Sequence, residues 1–324
     1  MRYKMPLDYD QDPLIKQAKA QRWIRYQGES RPRTGDMFSD SEDGLALDAL
    51  NVYTTVAYKT INNFLRSRTL DDHSRHFIDA YFRKSSMIGP RAEALGLLKV
   101  KSYFRAAKHG FLGMGQRSAM EDYNGAISVV ADFVEKGRRL HSQPRRPMVL
   151  RGVDTSVEAV GPTLSRQLRT EGEIIQDPAF MSATLSRPFL KKDLFVMRLP
   201  GDSEGRHIAP SSMAPKEDEV LFPRGTKYTI RRIINRDLGR DIIEDVVGNI
   251  YDFHISNSVL QDMQQRSIFH VSDLRGRIAE AVDSVSELDY LDVQEIKKES
   301  RKRILSEYVE NLIFAEIHPY NLLC

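Results

Sequence analysis

A chain of 324 residues is long enough for one large domain or two ordinary ones. Hydrophobic residues at 41% and charged residues at 29% exclude a disordered or fibrous chain, and no run of about 18 uncharged apolar residues is present to form a membrane-spanning helix. The 48 basic and 45 acidic residues leave a net charge of +3, too small an excess for a dedicated polyanion binder, and one cysteine, Cys324, excludes intramolecular disulfides and cysteine-based zinc sites.

The first residues, MRYKMPLDYDQDPL, lack the apolar run of a secretory signal. This fits a cytoplasmic protein, or one delivered into another cell without a classical signal peptide. Residues 1–44 are polar and rich in turn formers, so they read as an N-terminal arm, with a short helix around Leu14 to Trp23. In 45–67 the residues Leu47, Leu50, Ala57, Tyr58, Ile61, Phe64 and Leu65 recur at helical spacing and predict an amphipathic helix. Further helical pieces follow, with a glycine-rich loop GFLGMGQ at 110–116 and a helix over 118–136.

The pattern changes at Pro144. Short β-rich runs appear at 148–153, 173–176, 179–186, 194–200, 206–209, 219–222, 227–234, 241–247 and 250–256. Turn formers such as Asp177-Pro178, Pro223-Arg224-Gly225 and Gly248-Asn249 separate them, and 155–169 reads as a helix. Beyond 258 the spacing is helical again, through Val271, Leu274 and Ile278 and then Val293, Ile296, Ile304, Tyr308, Leu312 and Ile313. Helices, then strands, then helices predict an α+β fold rather than a doubly wound sheet.

Three features of the β-rich half carry chemistry. Arg151, in VLRGV, is a cation amid the apolar residues of a strand. It suits a structural ion pair or a bidentate clamp on phosphate or carboxylate. Phe180 to Ser186, FMSATLS, offers hydroxyls for a polar sheet face or for the lining of a cleft. Glu217-Asp218-Glu219 precedes VLFPRGTKYTI; strand alternation would put Glu217 and Glu219 on one face, roughly 7 Å apart.

Taken in order, Arg151, Ser182 and Glu217-x-Glu219 resemble the arginine, serine, glutamate triad of mono-ADP-ribosyltransferases, in the toxin-like, arginine-modifying branch with the E-x-E motif. The helix pattern Tyr58-x-x-Ile61-Asn62-x-x-Leu65-Arg66, the aromatic Phe180, and the stretch SSMAPKEDEVLFPRGTKY extend the resemblance over about 45–256. The family's S-T-S is Ser182-Ala183-Thr184 here.

The resemblance implies a helical lobe (45–143, with an insertion at about 70–117), a two-sheet β core (144–256), and a helical C-terminal extension (257–324). It implies NAD as co-substrate, held by Arg151, Gly152, Ser182, Thr184, Phe189 and Glu219, with Lys191 or Lys192 near a phosphate. Ser182 would position Glu219 on the nicotinamide ribose, and Glu217 would receive the acceptor arginine. No metal and no membrane insertion are implied. The expected partner is a target protein. An antitoxin or chaperone is a further partner, and nucleic acid is an alternative acceptor supported by the basic stretch 297–303. A non-catalytic binding module on the same fold is the remaining alternative.

Overall fold

Every β-rich run before Pro223 that lies among the described residues forms a strand, because its apolar residues have two faces to bury. In the computed structural model, residues 12–20, 41–69, 116–153, 170–251, 271–284 and 290–319 are described. The helices are α1 (Pro13–Ala20), α2 (Glu42–Val52), α3 (Tyr58–Ser67), α4 (Gln116–Arg139), α5 (Arg236–Tyr251), α6 (Val271–Asp283) and α7 (Tyr290–Ser306). The strands are β1 (Met148–Val153), β2 (Ile174–Asp177), β3 (Met181–Thr184), β4 (Asp193–Arg198), β5 (Arg206–His207), β6 (Glu219–Phe222), β7 (Thr226–Asn235) and β8 (Asn311–Ile317). The predicted insertion, the glycine-rich loop and the helix at 155–169 lie outside the described residues, apart from Gln116 and Arg117.

The class is α+β, as expected. The strands form one eight-stranded sheet in the order β2-β7-β8-β4-β1-β3-β6-β5. It has two limbs. β1 pairs with β4 along its whole length, from Met148↔Arg198 to Val153↔Asp193, but meets β3 at the single pair Leu150↔Thr184. The limbs also face each other across a shared core. Val149, Val153, Phe195 and Met197 of one limb are clustered with Met181, Ala183, Val220 and Phe222 of the other. The two sheets expected from the resemblance are thus two limbs of one sheet, folded together at a narrow junction.

Period-two alternation assigns the remaining faces. Met148, Leu150, Leu194 and Val196 turn the other way and are covered by α1, α5, α6 and α7 through Ile15, Ile243, Val247, Leu274 and Leu305. Leu221 and Ile208 of the smaller limb pack under α2, α3 and α4 through Leu50, Ile61, Phe64 and Val134. The predicted helix over 45–67 is broken. A π-turn at Tyr53–Ala57, with Thr55 at φ −91° and ψ −141°, separates α2 from α3. The side-chain amide of Asn62 donates to the Tyr53 hydroxyl at 3.0 Å across the break.

Two expectations are corrected. The run at 241–247 is not a strand but part of α5, which extends to Tyr251; of the run at 250–256, residues 252–256 lie outside the described residues. Ile242, Ile243, Val246, Val247 and Ile250 are all buried, a spacing that one helical face satisfies. The extension after 257 is not wholly helical or peripheral. β8 lies in the sheet interior, parallel to β4 and antiparallel to β7. Its Leu312, Ile313, Phe314 and Ala315 are buried consecutively, as a strand covered on both faces requires. The basic stretch 297–303 lies on α7, where Lys302 bridges to Asp245 of α5 at 3.0 Å and so helps to join two helices.

Candidate active site

The narrow junction between the limbs brings β1, β3 and β6 together, with α2 and α3 above the smaller limb. Ser182 on β3 stands opposite Leu221, and Thr184 opposite Glu219. Ser182 and Glu219 are therefore diagonal neighbours on one sheet face, within reach of each other. The Ser182 hydroxyl donates to Glu219 Oε1 at 2.6 Å. Glu219 is only 7% exposed, so its carboxylate is held in a largely dry position by a charge-assisted hydrogen bond.

Glu217 is placed differently from the strand expectation. It ends a 3-10 turn, Pro215–Glu217, before β6 begins. Asp218 follows in the left-handed region at φ 53°, so the strand alternation that would align Glu217 with Glu219 is interrupted. The turn is anchored at each carbonyl. Thr184 Oγ1 donates to the Glu217 carbonyl at 2.6 Å, Leu185 N–H to that of Asp218 at 3.1 Å, and Ile208 N–H to that of Glu219 at 3.0 Å. The Asp218 carboxylate lies 2.7 Å from His207 Nε2 on β5. Thr184 was expected to contact NAD; here it is buried and supports the Glu217 turn.

Arg151 projects from β1 with its side chain 19% exposed, and its Nη2 lies 3.8 Å from Asp177 Oδ2. Its Nη1 is buried and has no hydrogen-bond partner among the described residues. Asp177 is almost fully buried and is already well bonded. It accepts Arg66 Nε at 3.1 Å, Arg66 Nη2 at 2.9 Å and the Ala179 N–H at 3.0 Å. The structure thus satisfies the structural ion-pair reading of Arg151 only in part. An orphaned guanidinium nitrogen fits an anionic ligand such as a pyrophosphate.

Tyr53 is buried beside Asn62 of α3. Burial and the Glu219 charge push its hydroxyl pKa up, while Asn62, Arg66 and Arg151 oppose the shift. Tyr53 also meets Phe180 edge-on, with ring centroids 5.4 Å apart. Gly152 has a packing role: a Cβ there would lie 1.8 Å from the Phe189 carbonyl oxygen, so the loop after β3 closes on β1 only over glycine. Phe189 and Lys191 are half-buried and Lys192 is exposed, with Lys192 Nζ 2.8 Å from Glu310. No group of three or more metal-ligating side chains occurs among the described residues.

Sequence reasoning missed Asp177, His207 and Tyr53. Asp177-Pro178 read only as a turn, and nothing in an isolated acid tells of its burial. Arg66 and Asn62 were visible in the helix pattern but carried no assigned contact.

Residues 157–248 match the family model for ADP-ribosyltransferase exoenzymes. That stretch of the chain is similar to an ADP-ribosyltransferase exoenzyme domain. Mono(ADP-ribosyl)transferase SpvB of Salmonella typhimurium (strain 14028s / SGSC 2262) is 23% identical in a 256-residue alignment that covers 72% of this chain and 38% of SpvB. Photox toxin of Photorhabdus laumondii subsp. laumondii is 21% identical over 220 residues, 68% of this chain and 44% of Photox. The chain therefore spans less than half the length of these curated relatives. The crystal structure of the Salmonella SpvB ATR domain aligns over 84% of this chain and 98% of that domain, at 15% identity and a TM-score of 0.45. Among the described residues, no helix is long and apolar enough to cross a membrane.

Proposed function

We propose that the protein transfers ADP-ribose from NAD to an arginine side chain of a target protein, with release of nicotinamide. The observation that carries this reading is the buried Glu219 carboxylate held by Ser182 at 2.6 Å, on strands that reach β1 beside Arg151, since Thr184 pairs with both Glu219 and Leu150. Arg151 offers to the pyrophosphate of NAD its Nη1, which has no partner among the described residues. Ser182 fixes Glu219 against the nicotinamide ribose. The bond between ribose C1′ and the nicotinamide nitrogen breaks, and its electron pair leaves with neutral nicotinamide. The ribose then carries oxocarbenium-like charge, which a fixed anion stabilises, as carboxylates do in glycoside hydrolysis.

The acceptor needs a second carboxylate. A guanidinium has a pKa above about 12 and is no nucleophile while protonated. Glu217, half-buried on its anchored turn, orients the guanidinium and takes the proton as the new C1′–N bond forms. Gly152 and Phe189 shape the wall beside Arg151, and Thr184 supports the turn of Glu217. The setting of this reading is the cytoplasm of a cell that the protein enters, in keeping with a relative named as a toxin.

The test is incubation of host-cell lysate with the protein and biotin-tagged NAD, followed by identification of the modified residue. ADP-ribosylated arginine is the expected product. Modification of cysteine, asparagine or a nucleobase would overturn the acceptor assignment.

A further inference from the structure

Two arginines share one buried aspartate in the cleft, and they share it unequally. Arg66 reaches Asp177 from α3 through a bidentate pair of bonds at 3.1 and 2.9 Å. Arg151 approaches the same carboxylate from β1 no closer than 3.8 Å, beyond hydrogen-bonding range. The Ala179 N–H takes a further share of Asp177 Oδ1. Arg151 meanwhile keeps a buried Nη1 that has no partner among the described residues.

A nearly dry carboxylate beside two guanidinium groups will form its best bonds with one of them, because desolvation makes an unpaired charge costly. Planar fork geometry makes the two arginines equivalent competitors for it. In this fold the competition is decided by α3. We infer that Arg66 is a positioning residue that keeps Asp177 from closing a bidentate pair with Arg151, so that the Arg151 fork stays open to the pyrophosphate of NAD. The inference rests on Arg151 being the anion-binding group of the proposed reaction. It assigns no substrate contact to Arg66 or Asp177.

This arrangement makes a signed demand on the two residues. Without Arg66, Asp177 turns to Arg151 and quenches the anion site. Without the Asp177 charge, nothing captures Arg151, and the field at the site becomes more positive. Loss of Arg66 should therefore be reversed by loss of Asp177.

The experiment measures the Kd of ADP by calorimetry, and KM and kcat for NAD in nicotinamide release, in the full chain, with thermal melting to establish folding. Arg66→Gln is expected to raise the Kd of ADP and the KM of NAD by roughly 10- to 100-fold, the worth of a charge-assisted bond, with kcat much less affected. Asp177→Asn is expected to bind ADP at least as tightly as the natural protein. The double variant R66Q/D177N is expected to return to within a few-fold of the natural Kd. If R66Q does not fold, Arg66→Lys, which keeps the charge but loses the fork, is expected to show a smaller loss with the same rescue. A double variant as weak as the Arg66 variant alone would show that Arg66 acts directly on the ligand or through folding, and would overturn the inference. So would a D177N variant that loses ADP binding. A natural protein that binds ADP but releases no nicotinamide would overturn the proposed reaction, while the ADP titrations would still decide the role of Arg66.

Discussion

Glu219 and Glu217 stand two residues apart and occupy different kinds of structure. Glu219 opens β6, is 7% exposed, lies opposite Thr184 in the ladder and is bonded to Ser182. Glu217 closes a 3-10 turn and is half-buried; its carbonyl, rather than a ladder position, fixes it to β3 through Thr184. The left-handed Asp218, paired with His207, divides the two. One carboxylate belongs to the strand floor of the site and the other to a turn at its edge. A donor-side group that meets the same ribose in every turnover suits the first place. An acceptor-side group that meets a variable target suits the second.

The largest effect should come from the floor. In the proposed reaction Glu219→Gln removes the fixed charge that faces the developing cation, and should lower nicotinamide release by about 10²- to 10⁴-fold whether the acceptor is arginine or water. Loss of transfer with unimpaired release would reverse the assignment of the two glutamates. Ser182→Ala keeps the carboxylate and removes its hydrogen bond, so a smaller loss of roughly 10- to 100-fold in release is expected, as for a bond to a charged group. The smallest effect should come from the edge. Thr184→Val removes the bond to the Glu217 carbonyl, and transfer should fall by about two- to tenfold while NAD hydrolysis stays near its natural rate. A T184V variant that loses both alike would place Thr184 on the donor side after all.

The same contrast explains what the sequence could disclose. The nearness of Ser182 to Glu219 was legible because both sit on strands, where residue order and period-two alternation carry over directly into space. Glu217 was expected on the strand and instead ends a turn, since alternation fails once Asp218 takes a positive φ. α5 read as strands because Ile242, Ile243, Val246 and Val247 are β-branched, yet burial along one helical face outweighed that local preference. β8 read as helix because a fully buried strand shows no alternation, and a short apolar run such as Leu312 to Ala315 is ambiguous by periodicity. Its place beside β4 depends on partners more than 100 residues away, which no local pattern contains. Asp177 was silent for a similar reason: its burial and its bonds to Arg66 and the Ala179 N–H are products of the assembled cleft.

The most direct test is the partition of products by the Glu217→Gln variant. In one reaction with NAD and an arginine-bearing protein acceptor, released nicotinamide and protein-bound ADP-ribose are measured together, with thermal melting to confirm the fold. The natural protein is expected to pass ADP-ribose to arginine. The variant is expected to lose transfer by at least about 100-fold, the usual cost of removing a general base, while nicotinamide release continues through water. Equal loss of nicotinamide release and transfer would contradict the division of labour between Glu219 and Glu217, and arginine specificity would lose its structural basis.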